Sequence, residues 1–118
     1  MLAAEGSPER RVADACVDFP EYVSGTTTED AALLRAIPGA VAKRGAEACY
    51  ALALPDGRAV ALKIDDGHPR ARPVVMAEAL RRMGVDRDPG VDADALNATG
   101  SVPVYGGGEP VGHLRPTL

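Results

Sequence analysis

The tripeptide Pro55-Asp56-Gly57, set between two runs of small and aliphatic residues, constrains this chain more than any other segment. Proline presets φ, aspartate hydrogen-bonds its own backbone and glycine accepts positive φ, so the three reverse a chain sharply. Before the turn, Cys49, Ala51 and Ala53 alternate with Tyr50, Leu52 and Leu54; after it come Val60, Leu62 and Ile64. Such spacing predicts two antiparallel strands, the first running from Val41 with Lys43 near its start. Both faces of the hairpin are apolar, which predicts a sheet covered on both sides. Asp65-Asp66-Gly67-His68-Pro69 ends the second strand. Pro73 then opens a helix with Val74, Val75, Ala77, Ala79, Leu80 and Met83 inward, closed at Gly84.

The flanks read as follows. Ser7-Pro8-Glu9 supplies a cap hydroxyl, a first-turn proline and an acid near the positive helix end, predicting a helix from Pro8 to Val17 with Val12, Ala13, Cys16 and Val17 inward. Pro20 interrupts it, and residues 18–25 are expected to form a loop. Thr28 caps a second helix that begins with Glu29-Asp30, carries Ala31, Leu33, Leu34 and Ile37, and stops at Pro38-Gly39. Asp86 to Gly100 is a turn-rich connection with a short helix near Asp92 to Asn97. Val102 to Tyr105 and Val111 to Leu114, around the glycines at 106–108, suggest a closing hairpin with Pro103 at an edge. The order gives an α+β, or layered α/β, unit: an antiparallel sheet with packing helices.

Composition narrows function more than it identifies it. With 118 residues, 46% hydrophobic and 25% charged, the chain has the balance of one globular domain. A net charge of −4 and paired rather than clustered arginines argue against a nucleic-acid partner. One phenylalanine, three tyrosines and no tryptophan leave few stacking platforms for bases. No stretch approaches the ~20 apolar residues of a membrane span and no signal peptide is recognisable, so a cytoplasmic location is expected. Cys16 and Cys49 read as buried small hydrophobes, and His68 and His113 as loop and strand-end residues.

Two segments could carry chemistry. Lys43-Arg44-Gly45 puts an ammonium on a strand two residues before a glycine that lets a ligand approach the backbone. Backbone N–H groups of that strand could face a developing oxyanion. Lys63 to Arg70 gathers two carboxylates and two cations at a strand end, a pattern that a hydrogen-bonded turn with local ion pairs also explains. Ser24, Thr26, Thr27 and Thr28 offer hydroxyls, but without a neighbouring base they read as caps.

Several of these stretches together resemble a known family. Phe19 to Thr26, Arg35 to Gly39, Lys43 to Glu47, Ala53 to Gly67 and Arg70 are similar, in order and spacing, to the C-terminal part of bacterial type II asparaginases of the Rhizobium type. The resemblance spans Glu9 to Pro116. It implies a fold of the serine β-lactamase and glutaminase group, and hydrolysis of L-asparagine to L-aspartate and ammonia. In that family a serine and lysine near the N-terminus supply the nucleophile, and a second lysine lies in a K-x-G-A-E-G motif. Lys43 falls on that lysine, implying a catalytic role, and Gly45, Ala46 and Glu47 on the motif, implying substrate contact; the final glycine is Ala48 here.

The upstream serine-lysine pair, and the cysteine and lysine motifs of a zinc site in some members, have no counterpart in this sequence. Residues 1–118 therefore read as a single incomplete domain, inactive alone, with neither metal nor cofactor of its own. It would be a truncated product or one piece of a split enzyme. Its implied partners are asparagine, an upstream fragment or a second copy. A remnant that binds another protein, and a glutaminase-like substrate preference, are the alternatives. A sheet face left bare would favour dimerisation or aggregation.

Overall fold

The computed structural model describes residues 3–117. Helix α1 spans Pro8–Asp18, α2 is a single turn at Glu21–Ser24, and α3 covers Glu29–Ala36. Strands β1 (Val41–Arg44), β2 (Cys49–Ala53) and β3 (Ala59–Lys63) form a three-stranded antiparallel sheet in sequence order. Helix α4 (Arg72–Arg82) and α5 (Ala93–Thr99) follow, and β4 (Pro103–Gly106) pairs with β5 (Glu109–His113) in a separate hairpin. The fold is α+β, as the sequence indicated.

The caps explain most boundaries. Ser7 accepts from the Arg10 N–H, Thr28 from Ala31 and Asp92 from Ala95, so three helices start where a short polar side chain satisfies an orphan donor. Gly84, at φ 77°, follows the last turn of α4 in the left-handed region that glycine occupies without a Cβ clash. The Pro55-Asp56-Gly57 reversal joins β2 to β3, with Gly57 at φ 94°.

The core lies between one face of the sheet and helices α3, α4 and α5. Tyr50, Leu52 and Leu54 from β2 and its end share one core cluster with Leu33 of α3, Ile37 at its C-cap, Met76 and Leu80 of α4, Val85, and Leu96 of α5. Burying each of these large side chains stabilises the fold by roughly 1.5–3 kcal/mol before entropy is counted.

The structure corrects five expectations. The segment expected to be one strand from Val41 is broken by a 3-10 turn at Ala46–Ala48, giving β1 and β2. Its residues carry no turn composition, and Glu47 and Ala48 reach φ 52° and 54° without glycine. Residues 18–25 are not wholly loop, because Pro20 sits at the N-cap of α2, where its missing N–H costs nothing. α1 buries none of its residues, and Val12 is 65% exposed. Cys16 is only half-buried and Cys49 is exposed. The sheet is covered on one side only: Cys49, Ala51 and Ala53 are exposed while Tyr50 and Leu52, alternating with them, are buried.

Candidate active-site strand

Lys43 lies on β1 directly opposite Ala51, which in turn faces Ala61 of β3. That row belongs to the open face, so the lysine side chain is exposed, and its Nζ donates to the Arg44 carbonyl at 2.7 Å. The neighbouring row pairs Val41 with Ala53 and Ala59, and the other pairs Cys49 with Lys63. Over these alanines lies a shallow depression of about 470 Å³ lined by Val41, Lys43, Ala51, Ala53, Ala59 and Ala61 among others.

Gly45 ends β1. Its N–H donates to the Cys49 carbonyl at 2.9 Å, and a Cβ there would stand 3.3 Å from the Cys49 Cβ, closer than side chains normally pack. The glycine thus lets β1 close tightly onto the start of β2, and its N–H is already occupied, unavailable to an oxyanion. Ala46, Glu47 and Ala48 make the turn, with Glu47 exposed and its Cα 3.6 Å from where a Cβ on Gly67 would lie. Lys43, Gly45, Ala46 and Glu47 are therefore consecutive parts of one strand-and-turn.

Arg44, in the opposite phase to Lys43, sends its guanidinium under the sheet. There it donates to Glu29 Oε2 at 3.1 Å and to the Ser24 carbonyl at 3.3 Å, and its Nε lies 3.6 Å from Asp30 Oδ2. Arg72, at the start of α4, donates Nε to Glu29 Oε1 at 2.8 Å, pairs with the same oxygen through Nη2, and lies 5.8 Å from the centroid of the Tyr50 ring. Asp30 is fully buried; its carboxylate oxygens and the Tyr50 hydroxyl make no hydrogen bond of regular geometry. Burial first, then the Asp30 charge, push the Tyr50 phenol up. Burial would raise Glu29 as well. A backbone N–H with Arg72 and Arg44 outweighs that and holds its carboxyl below the usual range.

This buried network is what the sequence reading missed. Its signal was present: Arg44 shares the phase of the core residues Ala42, Tyr50 and Leu52, and Glu29-Asp30 opens a helix whose other face is apolar. An arginine in a core phase calls for a buried carboxylate.

The second sequence candidate is a turn. Asp66 accepts from the His68 N–H at 2.9 Å and from Arg70 Nη2 at 2.7 Å, both at the surface, and those bonds hold its carboxyl low. His68 Nδ1 accepts from the Arg70 N–H at 3.2 Å. Ser24 Oγ and Thr28 Oγ1 lie 2.8 Å apart, and Thr28 caps α3. Among the described residues no group of three or more His, Cys, Asp or Glu side chains is placed to hold a metal ion, so the residues present do not fit a zinc site. No helix there is long and apolar enough to cross a membrane.

An antiparallel sheet with a lysine on its bare face, next to a glycine-pinned turn, defines an α+β domain of the kind that could present a cation to a ligand above the sheet. The model of the L-asparaginase II family matches residues 1–116, and the chain belongs to that family. No individually curated protein matches it.

Proposed function

We propose that this chain supplies the lysine strand for hydrolysis of L-asparagine to L-aspartate and ammonia. The observation that carries the reading is Lys43 exposed on the open face of the sheet, two residues before Gly45, in a chain that belongs to the L-asparaginase II family. The residues correspond to the C-terminal part of a Rhizobium-type member with a serine β-lactamase-like fold. No Ser-x-x-Lys sequence occurs in the 118 residues, so the nucleophile comes from an upstream segment or a second chain.

In the reaction a serine Oγ, its proton taken by the lysine paired with it, attacks the side-chain amide carbon, and the carbonyl oxygen becomes an oxyanion. The Lys43 ammonium stabilises that charge or passes a proton to the departing nitrogen, which leaves as ammonia; water then cleaves the acyl ester and releases aspartate and the serine. Gly45, Ala46 and Glu47 form the substrate-side wall of the turn. The reaction as written needs no cofactor, and it would proceed in the cytoplasm.

The test measures ammonia release from asparagine and from glutamine, with the chain alone and with an upstream family segment containing the serine-lysine pair. We expect no release alone, release from asparagine in the mixture, and at least 100-fold less with Lys43→Ala. Turnover by the chain alone would overturn the external nucleophile. Undiminished turnover in the reconstituted variant would remove Lys43 from the chemistry, and faster release from glutamine would change the substrate. The bare sheet face favours a second reading, a non-catalytic module that binds another protein; it gains if the mixture forms a complex that hydrolyses neither amide.

A further inference from the structure

Helix α1 buries no residue fully, yet one of its faces bounds a cleft. Arg10, Ala13, Asp14 and Val17 fall at i, i+3, i+4 and i+7 spacing, are all half-buried, and form one wall of a space of about 490 Å³. The floor is the Val41, Ala53 and Ala59 row at the hairpin end of the open sheet face, with Pro55 of the adjoining turn. The sequence's only lysines, Lys43 and Lys63, project from rows of the same face nearer its other end. Among the described residues, Arg10 and Asp14 are the only charged ones lining the cleft. A mainly apolar lining with a few polar groups, and a volume within roughly 300–1,000 Å³, are the features of small-molecule sites.

Arg10 Nε donates to Asp14 Oδ1 at 2.7 Å. Among the described residues the Nη groups of Arg10 and the Oδ2 oxygen of Asp14 make no hydrogen bond, and the two side chains remain 42% and 50% exposed. The pair thus sets a donor fork beside an unengaged acceptor at the edge of an apolar cleft. A carboxylate alone would answer only the fork, and an amine only the aspartate. A group carrying both charges on one carbon answers both and keeps the pair neutral. We propose that this cleft binds a free amino acid with an aliphatic side chain. Its α-carboxylate meets the Arg10 Nη groups, its α-ammonium meets Asp14 Oδ2, and its side chain lies on Val41, Ala53 and Ala59. Asparagine fits poorly, since its side-chain amide would rest on that floor without a partner. The inference uses no residue assigned to amide hydrolysis and does not rest on it.

The probes are leucine, leucine amide, N-acetylleucine and asparagine, titrated into the full chain while backbone amide shifts are followed by NMR. We expect leucine to shift the amides of α1 and of Val41, Ala53 and Ala59, and the other three to bind more weakly by about tenfold or more. Asp14→Asn should abolish the preference for leucine over N-acetylleucine, and Arg10→Gln the preference over leucine amide. Loss of the matching preference alone is a readout that a general loosening of α1 would not produce. An unchanged melting temperature verifies that each variant folds, and the capped forms test the parent chain even where a variant does not. No binding of leucine, equal binding of the capped forms, tighter binding of asparagine, or shifts located elsewhere would each overturn the proposal. So would a gain in affinity on removing Met1 and Leu2, which would assign the cleft to the chain's own end. Because leucine carries no side-chain amide, failure of amide hydrolysis leaves this result intact, and failure here leaves that reaction to be judged on its own.

Discussion

Ala48 occupies the position where the family motif carries glycine, and its φ of 54° supplies a reason for the usual residue. An L-residue in the left-handed region brings Cβ against its own backbone, at a cost of about 1–2 kcal/mol. Ala48→Gly relieves that strain but loses the gain to a more flexible unfolded chain and to removal of a methyl group that is buried in the core. We expect the variant to lie within about 0.5 kcal/mol of the parent, read as a nearly unchanged urea midpoint and slope. Glu29 gives a pH-dependent counterpart. Its folded-state pKa lies below the ordinary value of 4.5, so the unfolded chain takes up the proton first as pH falls. The stability Glu29 contributes is fully present above that value and is lost as pH drops through the depressed one. Glu29→Gln should cost about 3 kcal/mol at pH 7, because it leaves Arg72 and Arg44 without their shared counter-charge. Urea midpoints at pH 5 and pH 3 should then fall less in the variant than in the parent.

Among the elements, those with strong local rules were legible and those governed by contact were not. The hairpin β2–β3, the capped helices α1, α3 and α5, and the glycine-closed α4 follow from turn chemistry, caps and period alone. The break between β1 and β2 was invisible because Ala46, Glu47 and Ala48 have no turn preference; the close approach of Gly45 to Cys49 and the pairing of Arg44 with Tyr50 impose it. The exposure of one sheet face was invisible too, since alanine suits a bare surface and a tight interface equally. The exposure of Lys43 on its strand was legible from the local pattern, whereas the arginine network under it depends on strand phase and on a partner distant in sequence. Helix packing supplies a sharp test. A Cβ on Gly100, just after α5, would lie 2.6 Å from the Ala77 Cβ of α4, so Gly100→Ala must push the two helices apart. We expect a loss of about 1–3 kcal/mol in denaturant unfolding.

The whole molecule is longer than its residue count suggests. Its principal extents are 53 × 29 × 25 Å and its radius of gyration is 14.7 Å, against about 13.5 Å for a compact domain of this length. The hairpin β4–β5 shares in this loose organisation: every residue of β5 is exposed, as are Val104 and Tyr105. A lone two-stranded hairpin is marginal in water. Its amides should exchange with solvent far faster than those of Tyr50 and Leu52 in a hydrogen-exchange time course.

The segregation of the two lysines has a practical consequence. Apart from the N-terminal amine, every primary amine of this protein lies on one face of one sheet. An amine-selective reagent will therefore read the accessibility of that face directly. A support that couples through side-chain amines will hold the molecule with its alanine floor turned toward the surface and its arginine-rich remainder turned toward solvent.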